Sequence, residues 1–268
     1  MKKTLTGIAA VAAVAAMLGA PARAADMAVP VYKAPPPPPP CMWCGFYIGL
    51  NAGWVGSSSN TIRNAGTDTG AGGLGAALAG GAIPAAISLS NSGWLAGGTV
   101  GYNWQINPAV VFGIEGDFDG VGDKHNVTVG PFVSPFVPIT TSASRDLDSL
   151  GTLRGRLGFT PGAPVLFYVT GGLAVGEHSL GIGAVAPAGA PPLNAFATTQ
   201  STTAGWTVGT GIEWKLAPQW SIKAEYLYVD LGTLNSTINY AYGGNNSTLT
   251  ASIHDTYNIA RAGVNWHF

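Results

Sequence analysis

Charge is what this sequence has least of. Asp, Glu, Lys and Arg make up 9% of its 268 residues, against roughly 25% in ordinary soluble domains. The formal net charge is −1, so nothing points to a nucleic-acid partner. Long apolar runs are missing as well. Past the first two dozen residues, no stretch reaches the ~18 consecutive apolar residues that a membrane helix needs. Cysteine is confined to Cys41 and Cys44. No second ligand pair accompanies them, so the sequence offers no metal centre. What the chain does have is glycine, 39 residues of it, and 10% aromatics. A chain this apolar and this poor in charge must hide its surface, and strands with one face on lipid would do so.

The chain opens with a targeting pattern. Lys2 and Lys3 precede an apolar run over residues 8–18, and Ala22-Arg23-Ala24 forms a small-x-small cleavage site. Residues 1–24 therefore read as a signal peptide, with the mature chain expected to begin at Ala25. No Cys stands just after the run, which argues against a lipoprotein anchor. Residues 25–44 read as a periplasmic tether. Its proline run over residues 35–40 should extend as a semi-rigid spacer. Residues 45–268 carry the strand patterns.

Eight such patterns are expected, over residues 45–55, 93–105, 110–119, 147–160, 165–177, 203–216, 219–231 and 256–268. Most have the ~9–11 residues that cross a bilayer at a tilt. The intervals between them alternate in length. Ile106-Asn107-Pro108, Pro161-Gly162-Ala163-Pro164 and Ala217-Pro218 are tight turns. The other four intervals run to on the order of 25 to 35 residues, rich in Gly, Ser, Thr, Asn and Ala, as the external loops of an outer-membrane barrel do. The fold class expected is an all-β, eight-stranded, antiparallel up-and-down barrel with short periplasmic turns and long extracellular loops.

Alternate residues of a strand share a face. One face gathers Trp206, Val208, Ile212, Trp214, Ile222, Phe112, Leu153 and Val264. The other gathers Glu115, Asp117, Glu213 and Glu225 with Arg154, Arg156, Lys215, Lys223 and Arg261. A Lys or Arg facing lipid at the midplane costs roughly 2–4 kcal/mol, so the charged face must point inward. An eight-stranded barrel is just wide enough for its side chains to fill. The expectation is an ion-paired plug rather than an open channel. Aromatics near the strand ends form two girdles, Trp214, Trp220 and Trp266 in one, Trp54, Trp94, Trp206, Tyr226, Tyr228 and Tyr257 in the other.

Three segments carry a resemblance. They are Gly45-Phe46-Tyr47-Ile48-Gly49-Leu50-Asn51-Ala52-Gly53-Trp54, the Pro-rich lead with Tyr32-Lys33-Ala34-Pro35, and the terminal Gly263-Val264-Asn265-Trp266-His267-Phe268. Together they resemble the small outer-membrane β-barrel surface proteins of alphaproteobacteria, a porin family with an opacity- and OmpA-like barrel. The resemblance covers residues 25–56 and the strands, not the loops. It implies that Phe268 is the recognition signal for the barrel-assembly machinery. It also implies that a mature Ala25-Asp26 start serves as a covalent attachment point to peptidoglycan, the alternative being a plain tail. Some relatives bind haem.

The remaining candidates read blandly. Cys41 and Cys44 in an oxidising periplasm are expected to form a local disulfide rather than a thiol-exchange site. Gly72-Gly73-Leu74-Gly75 lacks the Lys-Ser/Thr ending of a phosphate loop and reads as flexible loop. His125, His178 and His254 read as scattered exposed histidines. His178 pairs weakly, by spacing, with Ser201 or Thr202, and no convincing nucleophile–base set is present, so no enzyme and no cofactor are expected. The expected partners are outer-membrane lipid and lipopolysaccharide, the assembly machinery and peptidoglycan, with a monomer favoured. The leading function is a structural surface protein of the outer membrane. A narrow porin and a ligand- or haem-binding adhesion barrel are the alternatives.

Overall fold

A computed structural model describes residues 41–268 except 59, 71, 134–137, 163, 188–191 and 243. The signal peptide, Ala25, Asp26 and the proline run lie outside the described residues. Among the described residues ten strands form: β1 (Gly45–Ser57), β2 (Thr61–Asp68), β3 (Ala86–Ser88), β4 (Ser92–Asn107), β5 (Val110–Val133), β6 (Pro138–Phe159), β7 (Val165–Ala186), β8 (Leu193–Ala217), β9 (Trp220–Tyr242) and β10 (Asn245–His267). A helix, α1 (Leu74–Ala79), follows β2.

Strands β1, β4, β5, β6, β7, β8, β9 and β10 pair in that order, all antiparallel, and β10 closes back on β1 from Tyr47–His267 to Ser57–Tyr257. This is an eight-stranded barrel, as the alternation of turns and long intervals implies. Its outer wall is apolar. Leu50, Leu153, Leu173, Val208 and Val264 all face outward, and the aromatic girdles stand at its two ends. Tyr257 departs from the expected upper girdle. It lies inside, fully buried, under the Arg145 guanidinium 4.9 Å from its ring centroid.

The described residues of the long intervals are largely strand. Strands β5 to β10 run for 22 to 25 residues, about twice what crosses a bilayer. Beyond the barrel the wall divides. In this outer half β8 pairs with β7 alone, because its pairing with β9 begins at Trp206–Asp230. On the other side β10 takes β2 as a new neighbour, from Ser247–Asp68 to Ser252–Arg63, and β2 takes β3. Two sheets, β5-β6-β7-β8 and β9-β10-β2-β3, thus extend past the barrel. Ile139, Leu180 and Ile182 from the first meet Ile62, Ile87, Ile238, Leu249 and Ile253 from the second in one apolar core, closed by Leu74 of α1 and by Ile83. The Gly-rich segment read as flexible loop is therefore partly helical and anchored by Leu74.

Register irregularities mark the junction of the two halves. They fall at Gly120/Asp123 of β5, Leu147/Ser149 of β6 and Asp255/Thr256 of β10 opposite Gly232 of β9. An extra residue in a strand re-aims every side chain beyond it. On β9 the buried positions change from Leu227, Val229 and Leu231 to Leu234 and Ile238. Gly232 supplies the left-handed backbone there, with φ +82°, a region that costs a residue with a Cβ.

Candidate functional site: the barrel interior

The inward face of each strand delivers its polar residues to one column. Arg154 on β6 is the hub. Its guanidinium donates to Asp117 Oδ2 at 2.8 Å, to Glu225 Oε1 at 2.8 Å and to Glu115. Arg261 on β10 donates to Asp117 Oδ1 at 2.9 Å, to Asp119 Oδ2 at 2.7 Å and to Glu225 Oε2 at 2.8 Å. Lys223 Nζ donates to Glu115 Oε2 at 3.0 Å, and the Tyr47 hydroxyl donates to the same oxygen at 2.8 Å. Nearer the short-turn end, Arg156 pairs with Glu213, which also accepts from Asn265 Nδ2 at 2.8 Å. All these charged groups are buried. Glycine makes the room: a Cβ on Gly101 would lie 2.3 Å from the Tyr47 ring, and one on Gly211 2.4 Å from Tyr168, whose ring lies 3.8 Å from the Arg156 guanidinium.

Eight of the nine expected interior charges thus meet in one network. Lys215 does not join it. It sits at the short-turn mouth, where Nζ donates to the Pro218 carbonyl at 3.2 Å and lies 5.4 Å from the Trp43 ring centroid. Its position next to a tight turn puts it at the rim, past the column. Asp119 is the member that sequence reading missed. It continues the alternation of Glu115 and Asp117, but at the expected strand end.

Both ends of the column are filled. At the short-turn end Cys41 and Cys44 are joined as a disulfide with Cα atoms 5.6 Å apart. The turn they close inserts Trp43, fully buried, against Val111 and Leu166, with the Trp43 backbone N–H donating to Gln105 Oε1 at 3.2 Å. Residues 41–44, read as the end of the tether, therefore belong to the barrel mouth. At the other end Val55, Leu95, Leu150, Leu227 and Ile259 form an apolar layer.

Above that layer lies a cluster unforeseen from sequence. Arg145 Nη2 meets Asp255 Oδ1 at 2.6 Å, Asp255 also binds His178 Nδ1, and the Thr203 hydroxyl lies 3.0 Å from His178 Nε2. His178 is fully buried, which corrects its reading as an exposed loop histidine. The hydroxyl that meets His178 is that of Thr203; Thr202 falls on the outward face, whereas Ser201 shares the inward face two residues away on β8. The order hydroxyl, imidazole, carboxylate resembles a catalytic series, yet it is enclosed between two apolar layers with Arg145 neutralising the acid. Its chemistry is that of a buried, charge-paired polar layer. His254, by contrast, is exposed.

Outside the membrane span, Asp68 at the end of β2 accepts from the backbone N–H groups of Gly75 at 3.0 Å and Ala76 at 2.7 Å. Burial pushes its carboxyl up, but these donors, with Ser247, outweigh that and hold it below its ordinary value.

Comparison with known proteins identifies the family. The profile of the family described as "Outer membrane protein beta-barrel domain" matches residues 10–268. A 31 kDa outer-membrane immunogenic protein of Brucella melitensis biotype 1 is 31% identical over 268 residues, covering 96% of this chain and 98% of its own length. A 25 kDa outer-membrane immunogenic protein of Brucella abortus biovar 1 is 25% identical, covering 99% of this chain and 100% of its own. Among solved structures, the outer membrane protein OprG of Pseudomonas aeruginosa covers 85% of this chain and 100% of its own at 11% identity, with a TM-score of 0.46. The chain belongs to the outer-membrane β-barrel domain family and resides in the bacterial outer membrane.

Proposed function

We propose that this protein is a sealed structural barrel of the outer membrane that holds a rigid β-structured head outside the cell, rather than a channel. One observation carries the reading: the lumen is filled along its whole height. Trp43 closes the periplasmic mouth, the network around Arg154 and Arg261 occupies the middle, and the apolar layers stand above it. Passage of a solute would require breaking charge-assisted bonds between buried groups, which costs several kcal/mol for each partner left unpaired. Relatives named as immunogenic outer-membrane proteins support a surface-facing head. Refolded protein in planar bilayers is expected to give no steady conductance. Steady ion current whose selectivity changes on Glu115→Gln would establish the narrow porin instead.

The same reading makes the N-terminus an anchor. Ala25 and Asp26 would join peptidoglycan through the α-amino group, with the proline spacer reaching up to the barrel, and Phe268 would present the C-terminal aromatic to the assembly machinery. Mass spectrometry of muropeptides from purified sacculi is expected to find peptides beginning at Ala25. Their absence from sacculi of cells rich in the protein would remove the anchor from the proposal.

A further inference from the structure

Where β1 parts from β10 and β2 takes its place, the outer wall has a notch. The β1 ladder ends at Ser57–Tyr257 and the β2 ladder begins at Ser252–Arg63. Between them β10 residues 253–256 lack a continuous neighbour strand on that side, apart from the Ser58 N–H donating to the Thr256 carbonyl at 2.9 Å. The notch encloses about 420 Å³ and is lined by Ser58, Asn60, Arg63, Thr233, Ser252 and His254. Every one of these side chains is polar.

Three features point to its occupant. The first is charge. Of the cations whose side chains are described, Arg145, Arg154, Arg156, Lys223 and Arg261 are buried and Lys215 sits at the opposite mouth. Arg63 alone among them lies on the outer half's surface, and it has no ion-pair partner among the described residues. The second is the neighbouring imidazole. His254 is held by Asp230 Oδ2, 3.2 Å from Nε2, and by the Thr233 hydroxyl, 3.2 Å from Nδ1. The ring is thus fixed while remaining half exposed. The third is height. Asn258 accepts from the hydroxyl of Tyr226, a girdle residue, and donates to Ser58 Oγ in the notch floor. The notch therefore stands one step above the aromatic belt, at the level where lipid headgroups lie.

We propose that this notch binds the phosphorylated sugar headgroup of an outer-leaflet glycolipid, the lipid A part of lipopolysaccharide, with Arg63 taking the phosphate and the hydroxyls and His254 taking the sugar. A guanidinium matches phosphate through paired N–H donors. A ring of hydroxyl and amide groups suits a polyhydroxylated sugar. The proposal rests on the outer-membrane location and not on the barrel being sealed, so a conducting barrel would leave it standing.

The test uses the full mature chain refolded in detergent, titrated with diphosphoryl lipid A, with dephosphorylated lipid A and with inorganic phosphate, read by native mass spectrometry. Diphosphoryl lipid A should bind about tenfold or more tighter than its dephosphorylated form, as expected for charge-assisted hydrogen bonds to one phosphate. Arg63→Ala should erase that difference and Arg63→Lys should restore part of it. Ser252→Leu, which fills the notch, should weaken both lipids. Arg63 is exposed, so the thermal midpoint of the unliganded variants should stay at that of the parent. Unchanged lipid A affinity in Arg63→Ala overturns the proposal. So does inorganic phosphate that displaces lipid A at equal affinity, which would make this a free-anion site.

Discussion

Arg154 makes four hydrogen bonds to three acids, and all of them are buried from water. Such a residue is costly to install and costlier to remove. Replacing a whole buried ion cluster with apolar side chains can be neutral, whereas deleting one partner strands the rest. Arg154→Met is therefore expected to destabilise the refolded barrel by about 3–5 kcal/mol, measured by urea unfolding from lipid vesicles with tryptophan fluorescence. Lys215→Met should change stability by less than ~0.5 kcal/mol, as a rim residue outside the network should. Period-two alternation made the network legible, because a charge cannot face lipid and must face its neighbours inside. What alternation does not give is how far a strand runs. His178 and Asp255 were hidden for that reason, each lying past the point where the bilayer stops dictating the pattern, and Asp119 stood at the last residue of its expected strand.

At the scale of elements the same limit explains the outer half. Glycine, serine, threonine and alanine dominate it, and those compositions describe loops and solvated strands alike. One signal was available: Leu249, Ala251 and Ile253 are buried while Thr248, Thr250, Ser252 and His254 are not, an alternation as regular as any in the membrane. Small residues on the core face dilute its hydrophobicity, so the pattern reads faintly. α1 is fainter still. Six residues are too few to be helical alone, and Gly73 at its start has no side chain to cap it. Asp68 caps it instead from β2, reaching the second and third turn-forming amides. Its carboxyl is held low, so its folded-state value lies below the unfolded one. The stabilisation is then present above the unfolded value and lost as pH falls through the folded one. The amide proton shifts of Gly75 and Ala76, followed by NMR in micelles, should titrate together at a pH below the usual carboxylate range. Asp68→Asn should abolish that titration. A midpoint at or above the ordinary Asp value would show that the cap adds nothing.

At the scale of the whole molecule, the described residues form two amphipathic bodies of opposite sense on one set of strands. In the membrane half the outside is apolar and the inside charged; in the outer half Ile139, Leu180 and Leu249 lie inside and Thr, Ser and Asn face water. Each half turns its apolar face away from water, toward lipid in one and toward itself in the other. The strands pass from one to the other at the bulges, above the Trp54 and Trp94 belt. This arrangement makes the same substitution mean different things at two heights. Leu50, at the middle of β1, and Phe196, on the outer half of β8, are both outward and 74% and 63% exposed. Leu50→Arg should cost about 2–4 kcal/mol of folding stability in lipid vesicles, because it places a cation at the bilayer midplane. Phe196→Arg should cost less than about 0.5 kcal/mol, because that face already meets water. Equal costs at the two positions would mean that lipid reaches Phe196, and that the outer half is not a water-facing head but a continuation of the membrane wall.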